Sequence, residues 1–202
     1  MKLKLFIELI FFVNCNLFLH FFVKRNKKNM GKSIFLALLT VESLAVREGE
    51  LPTVSSLDLN RYMGLWYEIA RFDHSFERGL TGVTAEYRLL DNGKIQVINS
   101  GYKDSLNGEL KRAKGKAKQP NPAEPGKLKV SFFLFFYADY YILELDQEYR
   151  WVLIGSSSRK YLWILSRTPR LPQEVLDGIL KLARKHGYDT SKLIFVEQPI
   201  SD

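Results

Sequence analysis

Eight short segments with the pattern of β-strands follow one another between residues 66 and 166, each separated from the next by a turn or loop. Seven of them contain β-branched or aromatic residues, and the segment 111–118 instead alternates cations with small residues. Asn92-Gly93 and Asn107-Gly108 have the composition of tight hairpin turns. Strands of this length joined by short connections pair with their neighbours in chain order, so the fold class is predicted as an all-β, eight-stranded antiparallel up-and-down barrel. The predicted strands cover residues 66–72, 83–90, 94–103, 111–118, 127–133, 140–145, 151–156 and 161–166.

One helix is predicted after the last of these strands. Pro169 and Pro172 end the β pattern, and Gly187 marks the end of the helix that follows. A single apolar stripe on this C-terminal α-helix requires that it pack on the outside of the barrel. The residues of the stripe are Val175, Leu176, Ile179, Leu180 and Ala183. A last short strand is predicted over residues 193–197.

The segment before the barrel indicates export or membrane attachment. Residues 5–23 form an apolar run interrupted by polar residues, and residues 30–45 combine a basic start, a short apolar region and a small-residue cleavage-like site. Two interpretations stay open, an export signal that begins at Met30 and an N-terminal anchor helix over residues 5–23. The predicted organisation is a targeting or anchor segment with linker over 1–56, a barrel domain over 57–198 and a tail over 199–202.

Cysteine content and charge exclude several functional classes. Cys15 is the single cysteine, so the folded part can form no internal disulfide and no cysteine-based metal site. The formal net charge of +8 favours anionic partners. Within residues 111–118, however, cations alternate with alanine and glycine, which is typical of a strand with one solvated face. Nucleic acid is therefore not predicted as a partner, whereas an anionic lipid surface stays open.

The start of the barrel has a distinctive local pattern. Asp58 is placed to cap a short helical turn, and Gly64 interrupts that turn before a β-prone segment begins. Trp66 follows directly, at the start of the first strand. A tryptophan at this place is predicted to be buried at one end of the barrel.

Three spaced motifs add a family resemblance. They are Gly64-Leu-Trp-Tyr67, Leu145-Asp-Gln-Glu-Tyr149 and Tyr161-Leu-Trp-Ile-Leu-Ser-Arg-Thr-Pro169. Together they resemble the lipocalin family, and within it the bacterial (Blc-type) and apolipoprotein D-like members, over residues 57–198. The resemblance implies that Arg167 lies over the ring of Trp66 as a cation–π contact. Gly64, Trp66 and Arg167 are accordingly predicted to be structural.

The resemblance and the period-two alternation together predict the pocket. Tyr87, Asn99 and Trp163 match positions that line the pocket in relatives. Alternation adds inward-facing residues from the first, second, third and fifth strands. These are Glu68, Ala70, Phe72, Ala85, Val97, Leu128, Val130 and Phe132.

The resemblance implies a non-catalytic lipid-binding protein that stores or transports fatty acids or lysophospholipids in the bacterial cell envelope, in the periplasm or at the outer membrane. No catalytic residue, metal site or cofactor is predicted, because no nucleophile elbow, phosphate loop or metal-spaced histidines occur. The alternatives are a lipid-modifying enzyme on the same barrel and an envelope protein that binds anionic membranes. A lipid anchor is not expected at Cys15, and a homodimer stays open.

Overall fold

The computed structural model describes residues 51–199, most of which belong to an antiparallel sheet that closes on itself. Strands β1 to β8 pair in chain order and β1 pairs with both β8 and β2, so the predicted eight-stranded barrel is confirmed. The strands are β1 Gly64–Phe72, β2 Leu80–Leu89, β3 Ile95–Lys103, β4 Leu110–Lys118, β5 Lys127–Phe133, β6 Phe136–Leu145, β7 Trp151–Gly155 and β8 Leu162–Ser166.

The remaining elements are short apart from one helix outside the barrel, as predicted. A four-residue helix, α1 (Leu59–Tyr62), precedes β1. Helix α2 (Gln173–Lys185) follows β8, and a 3-10 turn (Thr190–Lys192) leads into β9 (Leu193–Phe195). Within residues 51–199 no helix is long and apolar enough to cross a membrane. The predictions for residues 1–45, including Cys15, lie outside the described residues.

The up-and-down order gives the barrel two different ends. Helix α1 and the β2–β3, β4–β5 and β6–β7 connections lie at one end, which we call the closed end. The β1–β2, β3–β4, β5–β6 and β7–β8 connections lie at the other, which we call the open end. Strand β6 begins at Phe136, four residues before the predicted start, because residues 134 and 135 alone form the turn after β5.

Trp66 and Arg167 seal the closed end. The Trp66 side chain is fully buried, and its Nε1 donates to the carbonyl of Tyr62 at 2.9 Å. The guanidinium carbon of Arg167 lies 3.8 Å from the centre of the indole ring. The guanidinium also donates to the carbonyl oxygens of Arg61 at 2.7 Å and Leu65 at 2.7 Å, with two further donations to Tyr62 and Met63. One side chain therefore satisfies the carbonyl groups that α1 leaves unpaired at its C-terminus.

Asp58 and Gly64 determine the conformation of the chain that leads into β1 at the closed end. Asp58 Oδ1 accepts from the backbone amides of Asn60 at 2.9 Å and Arg61 at 3.3 Å, which caps α1 as predicted. Gly64 has a φ of +94°, a conformation in which a side chain would be strained. Its φ allows the chain to turn sharply from α1 into β1.

Because of a β-bulge in β1, two side chains point in the direction opposite to the one predicted. The pairing with β8 shifts register between Glu68 and Ala70, so one extra residue enters β1 there. Ala70 and Phe72, which the alternation placed inside the barrel, instead pack against the outer cluster beneath α2. Arg71 takes the inward direction and is buried. The prediction was wrong because strict alternation holds only where the ladder is regular.

The C-terminal segment fills the gap that opens between β1 and β2 towards the open end. Strand β9 pairs with residues 70–72 of β1, beyond the last β1–β2 pair at Tyr67. The buried Gln198 side chain donates through Nε2 to the carbonyls of Glu68 and Val83, both at 2.8 Å. The predicted return of a last strand to the sheet is confirmed by this pairing.

Residues 51–54, which the sequence assigns to a linker, lie against the barrel. Leu51 is 2% exposed and packs in the outer cluster with α2. The backbone amide of Val54 donates to the carbonyl of Ile142 at 3.0 Å. This part of the chain therefore contributes to the folded unit.

Replacement of Arg167 by lysine tests how the closed end is sealed. Lysine keeps the charge but has no planar fork, so it cannot serve several carbonyls and stack on Trp66 together. We expect Arg167→Lys to lower the free energy of unfolding by about 2–4 kcal/mol in urea titrations. The matched control is Arg150→Lys, because Arg150 pairs with Asp146 at the surface and its loss should cost less than about 1 kcal/mol. Equal losses in the two variants would refute this role for Arg167.

Candidate functional site

On strands β3 to β6, the inward-facing residues are buried near the closed end and accessible to solvent near the open end. On β3, Ile95 and Val97 are each 1% exposed, whereas Asn99 is partly exposed. On the neighbouring β4, Ala117 is 3% exposed but Ala113, which pairs with Asn99, is open to solvent. The inner wall thus becomes accessible towards the open end.

Strands β5 and β6 show the same change. Leu128 of β5 is buried and Val130 is partly exposed, while Phe132 is 40% exposed and lies over Gly115. On β6, Tyr140 is buried and Ala138, the partner of Val130, is exposed. A concave, largely apolar surface therefore lies inside the open end, and the closed end beneath it is filled.

Three tyrosines fill the interior near the closed end. The Tyr140 hydroxyl lies 2.7 Å from that of Tyr62 and 2.9 Å from that of Tyr87. Burial raises the pKa of all three hydroxyls, so each is neutral and can be both donor and acceptor. The three hydroxyls satisfy one another inside an otherwise apolar core, which allows tyrosines to be buried there.

A polar cluster lies at the level where the interior opens, and Glu77 is its centre. The Glu77 carboxylate accepts from Asn99 Nδ2 at 3.3 Å and from Trp163 Nε1 at 3.1 Å. His74 Nε2 lies 2.9 Å from the same carboxylate. His74 and Glu77 come from the β1–β2 loop, and Asn99 and Trp163 come from β3 and β8. The loop thus delivers a carboxylate to inward-facing donors of two strands.

Arg71 extends the cluster across the bulge of β1. Its Nη1 donates to Glu68 Oε1 at 2.6 Å, and its Nη2 donates to the carbonyls of Glu77 at 2.9 Å and Leu80 at 3.2 Å. Arg71 and Glu68 are both almost fully buried. The arginine therefore holds the β1–β2 loop in place and places a positive charge near Glu77.

Burial and neighbouring charge separate the pKa values of the two carboxyl groups. Burial, reinforced by the nearby Glu77, raises the pKa of Glu68 to about 8 against the opposing effect of Arg71. Burial alone would raise the pKa of Glu77 as well, but the contact with His74 and the bond from Trp163 lower it overall. At neutral pH the Glu77 carboxyl is consequently ionised, whereas the Glu68 carboxyl is mostly protonated.

Four buried polar atoms in this cluster make no hydrogen bond with any of the described residues. They are Arg71 Nε, both ring nitrogens of His74 and Asn99 Oδ1. His74 Nε2 is within ion-pair distance of Glu77, but its geometry does not meet that of a hydrogen bond. A buried polar atom without a partner costs about 1–3 kcal/mol, so a ligand group that supplies the missing bonds would be favoured here. The cluster thus offers both donors and an acceptor beside an apolar wall. No group of three or more potential metal ligands occurs within residues 51–199.

The predicted pocket residues fall into three groups. Ala70 and Phe72 lie outside the barrel, as described above. Those inside and sealed are Glu68, Ala85, Tyr87, Val97 and Leu128, and those inside and accessible are Asn99, Val130, Phe132 and Trp163. The sequence pattern did not identify Arg71, His74, Glu77 or Tyr140 as site residues. Of these, only Tyr140 could have been found by alternation, because it lies two residues after Ala138 on β6 and so shares its inward face.

A groove on the outer surface offers a weaker site. It has a volume of about 440 Å³ and lies between residues 51–55 and the C-terminal end of α2. Three of its polar residues are paired with one another, because His186 Nε2 lies 2.8 Å from Glu144 Oε1 and the His186 carbonyl accepts from Arg159 Nε. The barrel interior, where polar atoms are left without partners, is the stronger candidate.

Comparison with known families identifies the fold. A family model described as a lipocalin-like domain matches residues 57–198, which is most of the chain. The chain belongs to the lipocalin family. Lipocalins are generally binding proteins rather than enzymes, and their fold binds small hydrophobic ligands.

Several relatives are similar to this lipocalin over most of its length. The outer membrane lipoprotein Blc of Vibrio cholerae is 46% identical over 171 residues, which cover 83% of this chain and 99% of the relative. The Escherichia coli K12 protein of the same name is 49% identical over 146 residues, covering 72% and 82%. Mouse apolipoprotein D is 36% identical over 155 residues, covering 73% and 80%.

Solved structures of lipocalins have the same architecture. Insecticyanin from the tobacco hornworm Manduca sexta superposes with a TM-score of 0.58 at 25% identity, covering 76% of this chain and 86% of that one. Lobster apocrustacyanin A1 gives a TM-score of 0.58 at 21% identity, covering 75% and 92%. At this identity the second comparison establishes the fold alone.

The buried Glu68 carboxyl should make stability fall as pH rises. Because the folded-state pKa is raised, the folded protein binds more protons than the unfolded chain between about pH 4.5 and 8. In urea titrations across that window, Glu68 should contribute a loss of up to about 1.4 kcal/mol per pH unit, and Glu68→Gln should flatten the decline. Glu86→Gln, a change at a more exposed carboxyl, is the control and should leave the slope unchanged. An unaltered slope in Glu68→Gln would contradict the raised pKa.

Proposed function

We propose that this lipocalin binds fatty acids or lysophospholipids and stores or transports them in the bacterial cell envelope. The observation that carries the proposal is the interior of the open end, where an accessible apolar wall meets a cluster of incompletely paired polar groups. An amphiphile with one acyl chain has the matching chemistry. Burial of the chain, at about 0.8 kcal/mol per methylene, supplies the affinity and no reaction is needed.

In this proposal, the headgroup of the ligand binds at the polar cluster. Arg71 and His74 can donate to an anionic oxygen, and Asn99 Oδ1 can accept from a hydroxyl or an ammonium group. The acyl chain then lies along Val130, Phe132 and the small residues of β4. Ala113 leaves space in that wall because its side chain is small and exposed, whereas the ring of Phe132 covers Gly115.

The envelope location rests on the relatives. The Vibrio cholerae and Escherichia coli proteins bear the name outer membrane lipoprotein, and they match this chain at 46% and 49% identity. The same compartment is proposed for this lipocalin.

A substitution that fills the open half tests the site. Ala113→Phe adds a ring to the inner wall of β4, while Ser100→Phe adds the same ring to the outward face of the adjacent β3. In calorimetric titrations with saturated fatty acids, Ala113→Phe should weaken binding roughly tenfold and Ser100→Phe should leave it unchanged. Wild-type affinity should increase about fourfold per added methylene until the interior is filled.

Two results would oppose the proposal. The first is binding that is equally weakened by Ser100→Phe, which would move the site to the outer face. The second is absence of binding across several chain lengths of fatty acid and lysophospholipid in a protein whose unfolding transition is normal.

A further inference from the structure

The β5–β6 turn exposes large apolar side chains at its tip. Phe133, Leu134 and Phe135 are 66%, 61% and 73% exposed, and they precede a partly exposed Phe136. We call residues 133–136 the apolar tip. The rings of Phe133 and Phe136 stack with centroids 6.4 Å apart, and those of Phe135 and Phe136 lie 5.0 Å apart. The side chains therefore cluster with one another on the surface.

The backbone of this turn would favour a different residue. Leu134 has a φ of +49°, a conformation that glycine or asparagine adopts readily and that costs another residue about 1–2 kcal/mol. A leucine here is unfavourable both for its backbone and for its exposure to water. Backbone strain together with exposed apolar area points to a function for this side chain outside the fold.

The tip stands at the open end, beside the entrance to the barrel. Phe132, the residue before it, turns inward over Gly115, and Phe76 on the β1–β2 loop is exposed at the same end. The apolar surface thus runs from the tip to the interior wall. An occupant of the tip would lie against the mouth through which a ligand enters.

Cations flank the tip on β4. The β4–β5 pairing ends at Lys116 and Ser131, and the ring of Phe132 lies against Gly115. Lys114 is therefore the next residue of β4 beyond this contact, towards the open end. Arg112 follows one step nearer the open end, on the same outward face. Arg112 and Lys114 are exposed, and neither takes part in an ion pair within residues 51–199. Exposed aromatic residues beside unpaired cations are typical of surfaces that enter an anionic membrane interface.

We propose that the apolar tip docks on an anionic lipid bilayer, with residues 133–136 in the boundary between headgroups and acyl chains and with Arg112 and Lys114 over the headgroups. The positive charge selects an anionic bilayer over a neutral one. The apolar tip distinguishes this arrangement from simple adsorption of a basic strand. The docking goes beyond ligand binding in the barrel, because it needs no occupied interior.

A fluorescent label at the tip tests this docking in the full chain. Cys15 is the single cysteine, so Cys15→Ser with Phe135→Cys gives one site for an environment-sensitive nitrobenzoxadiazole label. The control label is at Leu90→Cys, an exposed apolar position at the closed end. Both proteins share the same N-terminal segment, so sedimentation with vesicles through that segment is common to the two and only the difference between the labels is interpreted.

With vesicles of phosphatidylglycerol and phosphatidylcholine, the tip label should shift to shorter wavelength and be quenched by nitroxide lipids. The closed-end label should not respond. Arg112→Gln with Lys114→Gln should remove most of the tip response, whereas Lys94→Gln with Lys181→Gln, which removes the same charge elsewhere, should preserve it. Leu134→Gly should also reduce the response while leaving the turn intact, because glycine suits its φ.

The proposal is overturned if the two labels respond alike, if the tip label is silent although the protein sediments with vesicles, or if vesicles of phosphatidylcholine alone give the full response. Equal loss in both pairs of charge variants also overturns it. A silent tip would leave a protein partner as the occupant. Fatty-acid titration without vesicles in the same variants is independent of these results, so failure of docking and failure of ligand binding are distinguishable.

Discussion

The guanidinium of Arg167 determines the shape of the interior, because it closes one end of the barrel. It stacks on the ring of Trp66 and donates to several carbonyls of the segment around α1. Both contacts use the planar, forked shape of the guanidinium. With that end sealed and the tyrosine hydroxyls satisfied among themselves, solvent can reach the interior from the other end. The accessible wall and the polar cluster both lie there as a consequence.

The bulge in β1 is the second constraint, and it links the outside of the barrel to the site. One extra residue turns Ala70 and Phe72 towards α2 and turns Arg71 inward. Arg71 in turn binds the carbonyls of the β1–β2 loop, which carries His74 and Glu77 into the interior. Just beyond it, β9 pairs with residues 70–72 of β1, and Gln198 donates to the carbonyl of Glu68. Packing of the helix and assembly of the polar cluster therefore depend on one irregularity of the ladder.

The two surfaces of the open end complement each other. The interior offers an apolar wall with polar groups beside it, and the apolar tip next to the entrance is flanked by Arg112 and Lys114. In the proposed arrangement, a docked tip brings the mouth of the barrel to the place where single-chain lipids are found. A ligand would then move between bilayer and barrel with little exposure of its acyl chain to water, which lowers the cost of transfer.

Regular repetition made much of this structure predictable from the sequence. Period-two alternation, hairpin pairs and an apolar helical stripe act over a few residues, so they determined the eight strands, their order and the outer helix. The motifs around Trp66 and Arg167 identified the family. Period-two alternation also placed Ala85, Val97, Leu128 and Val130 on the inner face, because the ladder is regular at those residues.

Tertiary structure alone decided what faces inward at the bulge and which loop residues reach the interior. A bulge depends on how β1 pairs with β8, and the local sequence around residue 69 carries no sign of it. The position of Glu77 depends on contacts with Arg71, Asn99 and Trp163, which lie on three different strands. Alternation describes a strand by itself, whereas these positions are set by the pairing of distant segments.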